Sequence, residues 1–306
     1  MISQKDMLGN REVVYKGFSF DIISTITFIK KHLFLHHMKA IIIAAGMCNR
    51  LRPITDNLPK CMLKIKGKPL LQHAIDIFRA NGITDISVIR GYKKEKIDFP
   101  NLSYFENTDY QNNNILHSLM HAKQKLREAI EQGEDVIVTY SDITFKDDVV
   151  KKLMQARNPI SIVVDTDWHD YYDGRSDHPI TEAENVVFND SLHVSKIGKD
   201  VITGGIPQNR QGEFIGMWKF TPQGAKRFVE HFEKLNSTLV RTEKYQNAKE
   251  WRKAYITDIL QDLTNRGEKI HCTVIQKGWK EFDTVQDFLR VGGQLPEGMT
   301  ESVVLK

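Results

Sequence analysis

The run Lys39-Ala40-Ile41-Ile42-Ile43-Ala44-Ala45-Gly46 constrains the fold more than any other part of the chain. Its β-branched residues read as a strand buried on both faces, the habit of parallel sheets covered by helices. The run stops at two alanines and a glycine, small residues that let backbone N–H groups approach an anion or a base edge. Arg50 and Arg52 follow in the next loop, and Lys60 stands directly behind Pro59. They supply cations where phosphates would lie. An ordinary α/β domain can also begin with such a strand and turn; the basic loop is what turns the reading toward a nucleotide and chemistry at its phosphates.

Strand and helix signals alternate from there onward. Pro69 opens a helix through about Asn81, ended by Gly82. Short strands are expected at Asp85 to Ile89, closed by Gly91-Tyr92, and at Ser103 to Phe105. Ile115, Leu119, Ala122 and Leu126 keep helical spacing, which predicts one helix from Asn114 to about Ile130. Asp135 to Tyr140 reads as a strand ending at Ser141-Asp142, and Ser161 to Asp165 as another. The polar, turn-rich stretch from Thr166 to Gly205 is expected to carry a small antiparallel excursion. Glu213 to Phe220 returns to strand, Pro222 begins a helix to about Lys234, and Trp251 to Arg266 reads as helix. Ile270 to Ile275 is a strand, and Thr284 begins a last helix. Alternation of this kind implies a mixed, mostly parallel sheet flanked by helices.

Composition excludes more than it identifies. At ~150 residues per domain, 306 residues allow about two, but open α/β sheets of this size commonly fold as one. A formal net charge of +4 is too small to argue for nucleic acid and suits a polyanionic small molecule. Cys48, Cys61 and Cys272 are odd in number and lack metal-ligand spacing, which disfavours a disulfide framework or a zinc site and makes a reducing cytoplasm the expected setting. Residues 1–37 stand apart. Their apolar run from Phe18 to Phe28 is too short to span a bilayer and lacks a cleavage site of the signal-peptide kind. An interfacial amphipathic helix is one reading; an N-terminal appendage of unassigned role before a domain of residues 38–306 is the one adopted. No oligomeric state can be read from the sequence.

Taken together, Ala44-Ala45-Gly46, Arg50-Leu51, Pro59-Lys60 and Gly67-Lys68-Pro69-Leu70 resemble the nucleotidyltransferase superfamily that activates sugar phosphates, phosphocholine and phosphonates with a nucleoside triphosphate. The resemblance covers about Lys39 to Arg290 and implies a Rossmann-like domain. The family's loop usually carries Gly-x-Gly; this chain has Gly46-Met47-Cys48, so a Cβ stands where the family has none. The resemblance implies that Ala44, Ala45 and Gly46 approach the nucleotide and that Arg50 and Lys60 hold its triphosphate. It also implies that Gly91, Asn114 and Ser118 lie beside the base. For Asn114, a plain helix cap is the competing reading.

Nucleotidyl transfer to a phosphate or phosphonate needs no general base. A phosphate monoester has a second pKa of about 6 and is already an oxyanion. The need is for in-line placement and charge neutralisation, usually by Mg²⁺ held on one or two carboxylates. Asp142, at the carboxyl end of a buried strand, is one candidate; a helix cap is its rival reading, though Asp147 is better set for that. Asp283 is the other, with the N-cap of the last helix as its rival. The resemblance favours both as metal ligands.

In the middle section, Asp165-Thr166-Asp167-Trp168, Tyr171-Tyr172, Arg175, Glu182-Ala183-Glu184, Ser195-Lys196-Ile197-Gly198-Lys199 and Gly212-Glu213-Phe214-Ile215-Gly216 are similar to cytidylyltransferases of phosphonate biosynthesis. The phosphocholine cytidylyltransferases are near relatives of these. The resemblance implies CTP as donor and a small phosphonate or phosphoamine as acceptor. On the acceptor side, Trp168 and Tyr171 are candidates for receiving a cation, Arg175 and Lys196 for binding an anion, and Asp258 is a further candidate. Two rivals stay open, a sugar-1-phosphate nucleotidyltransferase and a catalytically silent nucleotide-binding protein.

Overall fold

The computed structural model describes residues 38–202 and 204–301; the expected appendage at 1–37 lies outside them. Strand β1 (Met38–Ala44) is buried at all seven positions. After the basic loop, β2 (Lys64–Ile65) and β3 (Lys68–Pro69) form a small hairpin that leads into helix α1 (Leu70–Ala80). α1 buries Leu70, Leu71, Ala74, Ile75 and Phe78, one face at helical spacing. β4 (Asp85–Arg90) pairs parallel with β1, and β5 (Ser103–Glu106) parallel with β4.

The single helix expected from Asn114 to Ile130 is two, α2 (Ile115–Met120) and α3 (Lys123–Gln132). The cause is tertiary. The amides of Asn114 and Leu116 donate to the carbonyls of Arg252 and Ala254, which fixes the first helix on a course the second does not follow. Apolar spacing continues across the break, so periodicity alone does not reveal it.

β6 (Asp135–Tyr140) lies parallel to β1 on its other edge. β7 (Ile143–Phe145) leads into α4 (Asp147–Gln155), which Asp147 opens without capping: Lys146 holds the cap position and no side chain bonds there. β8 (Ile160–Asp165) follows, and then the antiparallel hairpin of β9 (Asn185–Phe188) and β10 (Val194–Gly198). The hairpin is part of the main sheet, joined through β9 to β11 (Gln211–Phe220). After α5 (Pro222–Thr238), the expected long helix from Trp251 is a 3₁₀ turn at Trp251–Lys253 and then α6 (Ile256–Asn265). β12 (Ile270–Ile275), β13 (Trp279–Glu281), α7 (Val285–Arg290) and β14 (Gly293–Gln294) complete the described chain.

The sheet runs β10-β9-β11-β6-β1-β4-β5, with β8 also on β11 and β12 on β8. One strand therefore serves three partners. The first residues of β11, Gln211 to Glu213, pair with β9, and Met217 to Phe220 pair with β6; its pairing with β8 shifts register between Phe214 and Trp218. Gly216 lies in that shift at φ 76°, and a Cβ there would come within 2.3 Å of the Tyr140 ring. Glycine is what lets the strand bend while Tyr140 lies against it. The result is a mixed sheet flanked by helices, with the hairpin joined to it through β9 on β11. No helix among the described residues is long and apolar enough to cross a membrane.

Candidate active site

The carboxyl ends of β1 and β6 open onto a cavity of about 540 Å³, where open α/β sheets bind their ligands. Ala44, Ala45, Gly46 and Arg50 line it from the first strand and loop, with Lys60 beside them. Asn114 and Ser118 line it from α2, Asp142 from beyond β6, and Asp283 from beyond β13.

Its electrostatic centre is Lys60. The side chain is 4% exposed, and Nζ donates to Asp142 Oδ2 at 3.0 Å and to Asp283 Oδ1. Arg50 Nη2 donates to Asp283 Oδ2 at 2.5 Å. Burial alone would lower the Lys60 pKa, but Asp142 and Asp283 outweigh it and hold the ammonium well above its ordinary range. Burial pushes the other way on Asp283, where Lys60 and Arg50 win and keep the carboxylate ionised. Burial, then Asp283 and Asp142, drive neighbouring Glu281 upward toward its neutral form.

The donor set fits a hard divalent cation. Asp142 Oδ1 is buried with no hydrogen-bond partner, and an orphaned carboxylate oxygen is costly unless something positive satisfies it. Asp283 brings a second carboxylate to the same ammonium. A further grouping adjoins them: ligand atoms of His178, Glu281 and Asp283 lie within 4.8 Å of one another. Burial lowers His178 to about 4, so at neutral pH its imidazole is uncharged.

Cys48 shows how the loop tolerates losing a glycine. Its backbone is left-handed, φ 50° and ψ 57°, the conformation glycine adopts most readily. The Thr55 hydroxyl donates to its carbonyl at 3.1 Å. Burial raises its thiol to about 11, which leaves a neutral side chain against the cavity.

Residues 40–193 match the MobA-like NTP transferase domain family. A relative, the CTP:phosphoglutamine cytidylyltransferase of Campylobacter jejuni, is 30% identical over 257 residues, covering 82% of this chain and 97% of its own. The chain belongs to the MobA-like NTP transferases. It is a nucleotidyltransferase, of a family that commonly uses a divalent metal ion. The 2-aminoethylphosphonate cytidylyltransferase of Lancefieldella rimae is 32% identical over 114 residues, 36% of this chain and 44% of that one. Among solved structures, the CTP:phosphocholine cytidylyltransferase of Streptococcus pneumoniae superposes with a TM-score of 0.61 at 22% identity, over 83% of this chain and 97% of that one, a likeness of fold.

The remaining nucleotide-side candidates of this MobA-like transferase differ in position. Gly91 does not line the cavity; it packs behind Ala45, whose carbonyl accepts from Tyr92 N–H at 3.0 Å. A Cβ on Gly91 would stand 2.9 Å from that carbonyl oxygen, so the glycine acts by close approach. Asn114 lines the cavity and also caps α2: its Oδ1 accepts from Ile115 N–H at 2.9 Å, and its Nδ2 donates to Lys253 O at 3.1 Å. Ser118 Oγ accepts from Asn107 Nδ2 at 2.8 Å in a buried network with Asn113.

The acceptor-side candidates are not gathered at the cavity. Trp168 is 3% exposed and packs edge-on against Tyr172, with Ala183 in the same cluster. Tyr171 packs edge-on against Trp279. Arg175 Nε lies 2.7 Å from Asp287 Oδ1, and its guanidinium covers the Tyr172 ring at 4.8 Å. Lys196 is exposed on β10 and does not line the cavity. Asp258 caps α6, with its carboxylate accepting from Tyr255 N–H at 2.8 Å and from Asn247 N–H at 3.0 Å. None of these five candidates lines the cavity.

The cavity wall on that side is formed instead by Tyr140, Glu182, Glu184, Lys199 and Tyr255. The signal for the first glutamates was legible. Glu182-Ala183-Glu184 sets two carboxylates at i and i+2 between a 3₁₀ turn ending at Glu182 and β9.

Proposed function

We propose that the protein transfers CMP from CTP to a phosphonate or phosphoamine acceptor, 2-aminoethylphosphonate-like or phosphocholine-like, with Mg²⁺, and releases pyrophosphate. The observation that carries this reading is Lys60 between Asp142 and Asp283 at the carboxyl ends of the sheet, with Arg50 on the outer face of Asp283. The cytidylyl donor is supported by the relatives that act on phosphoglutamine and 2-aminoethylphosphonate.

An ionised acceptor oxygen attacks the α-phosphorus of CTP. The new O–P bond forms as the bond from the α-phosphorus to the bridging oxygen breaks, and the electron pair leaves with pyrophosphate. No proton has to be removed from the acceptor. Lys60 and Arg50 balance charge on the phosphates, and charge stabilisation at the transferring phosphorus is where the rate is gained. Asp142 and Asp283 would hold Mg²⁺, which when bound supplies Lewis-acid neutralisation of phosphate oxygens. Ala44, Ala45 and Gly46 let the backbone approach the nucleotide, and Asn114 and Ser118 face it from α2.

The test is pyrophosphate release with each of the four common NTPs against 2-aminoethylphosphonate, phosphocholine and a sugar 1-phosphate, with and without Mg²⁺. CTP with one of the first two acceptors is the expected pair, and Mg²⁺ the expected requirement. Preference for a sugar 1-phosphate would replace this reading with its nearest rival, and silence with every pair would leave a nucleotide-binding protein.

A further inference from the structure

Behind the acceptor side of the cavity lies a smaller chamber of about 30 Å³. Both spaces are lined by Tyr140, Glu182 and Glu184, and the inner one also by Tyr172 and Glu213. That is room for a small polar group of about the size of a water molecule, such as –NH₃⁺.

The chamber is acidic and short of cations. Glu182 has Lys199 at 2.5 Å; Arg175, held by Asp287 at 2.7 Å, also lies 3.5 Å from Glu281 of the chamber wall. Glu184 and Glu213 bond only to hydroxyls. Glu184 Oε1 accepts from Thr257 Oγ1 at 2.9 Å, and Oε2 from the Tyr140 hydroxyl at 3.4 Å. Glu213 Oε1 accepts from the Tyr172 hydroxyl at 2.5 Å. Glu213 Oε2 has no partner, although the residue is 4% exposed and lines the chamber. A buried acceptor with nothing donating to it is a position where a ligand's N–H gains most.

We propose that the chamber receives an N–H-bearing ammonium group on the acceptor, bonded to Glu213 and Glu184, so that the enzyme prefers a primary amine to a quaternary ammonium. The assignment rests on the proposed transfer to a phosphonate or phosphoamine and selects within that class. A metal ion is the other occupant such carboxylates attract. Among the described residues, the group of three ligand atoms close enough to share one is that of His178, Glu281 and Asp283; His178 and Glu281 line the chamber too, while Glu184 and Glu213 are outside that group. A quaternary ammonium has no N–H to give the orphaned oxygen and relies on aromatic faces. Tyr140, Tyr172, Phe214 and Trp279 line the chamber, but none of them gives Glu213 Oε2 a donor, and the two tyrosines bond to the carboxylates through their hydroxyls.

The experiment compares two matched acceptor pairs at saturating CTP. Phosphoethanolamine and phosphocholine differ only in N-methylation, and 2-aminoethylphosphonate and 2-hydroxyethylphosphonate only in the amine. In each pair kcat/KM is expected to favour the primary amine by at least about ten-fold, the lower end of what a hydrogen bond to a charged group contributes. Glu213→Gln and Glu184→Gln should shrink that ratio toward one while KM for CTP stays within about two-fold of wild type; thermal melting checks that both fold. The wild-type comparison stands even if a variant fails to fold. Equal use within the pairs, or preference for phosphocholine, overturns the ammonium assignment and leaves cytidylyl transfer standing. Transfer to none of the four overturns the proposed function and this assignment with it.

Discussion

Thr284 caps the last helix with its own hydroxyl, and that frees the carboxylate of its neighbour Asp283. The Thr284 side chain accepts from Asp287 N–H, and the Asp287 carboxylate accepts in return from the amides of Thr284 and Asp283. An aspartate just before a helix is by default its cap. With that work done one residue later, Asp283 turns to Lys60 and Arg50 instead.

Asp142→Asn and Asp283→Asn are each expected to lose at least ~3 kcal/mol of transition-state stabilisation, about a hundred-fold or more in turnover, with the fold retained. Each change removes a charge and nearly keeps the shape. Pyrophosphate release and thermal melting measured side by side check it; wild-type turnover in either variant ends that residue's assignment as a metal ligand.

Lys60→Ala should be far more damaging than Lys64→Ala. Lys60 is buried between two carboxylates, whereas Lys64 is exposed on β2. A cation that meets charge developing on the phosphates lowers kcat more than it raises KM when lost. Small, equal effects of the two substitutions would make Lys60 an ordinary loop cation.

Trp168→Ala is expected to act on stability. The indole is buried against Tyr172 and Ala183, and truncating a buried tryptophan costs about 3–5 kcal/mol. The ratio of kcat/KM between charged and uncharged acceptors should stay as in wild type. A selective rise in KM for an amine acceptor at unchanged melting temperature would return Trp168 to the site.

Burial raises Glu184 to about 7 and Glu213 to about 8, against an ordinary 4.5. The folded state then holds protons that the unfolded chain gives up. The stability these groups contribute is full below about pH 4.5 and is lost as pH rises through about 7 to 8. The unliganded protein should therefore melt at lower temperature near pH 8 than near pH 5, and Glu213→Gln should flatten part of that slope. Melting curves across this range decide it; parallel profiles for wild type and variant would mean that Glu213 does not titrate there.

Strands such as β1, β6 and β12 were legible because an apolar β-branched run has few other uses. Lys60, Asp142 and Asp283 were legible because strand ends and a proline-held lysine leave a local mark. The break between α2 and α3 was not, since its cause lies at Arg252 and Ala254, far away in sequence. Trp168, Tyr171 and Arg175 look chemical in a row of letters, yet none lines the cavity; Tyr171 packs on Trp279 and Arg175 pairs with Asp287, both far along the chain. Glu213 opens the stretch read as a strand, and the structure buries it there; a buried glutamate is uncommon and points to a specific use.

The bond between Lys60 and Asp283 spans 223 residues. During synthesis, the basic loop with Arg50 and Lys60, and then Asp142, leave the ribosome long before Asp283 does. Until then Lys60 has only one of its two carboxylates, and Arg50 lacks the partner that restrains it. A nascent chain could fold much of its sheet and still lack a complete charge cluster. Completion of that cluster thus waits on a stretch made 223 residues after Lys60, and a message truncated before Asp283 would leave Lys60 with one carboxylate instead of two.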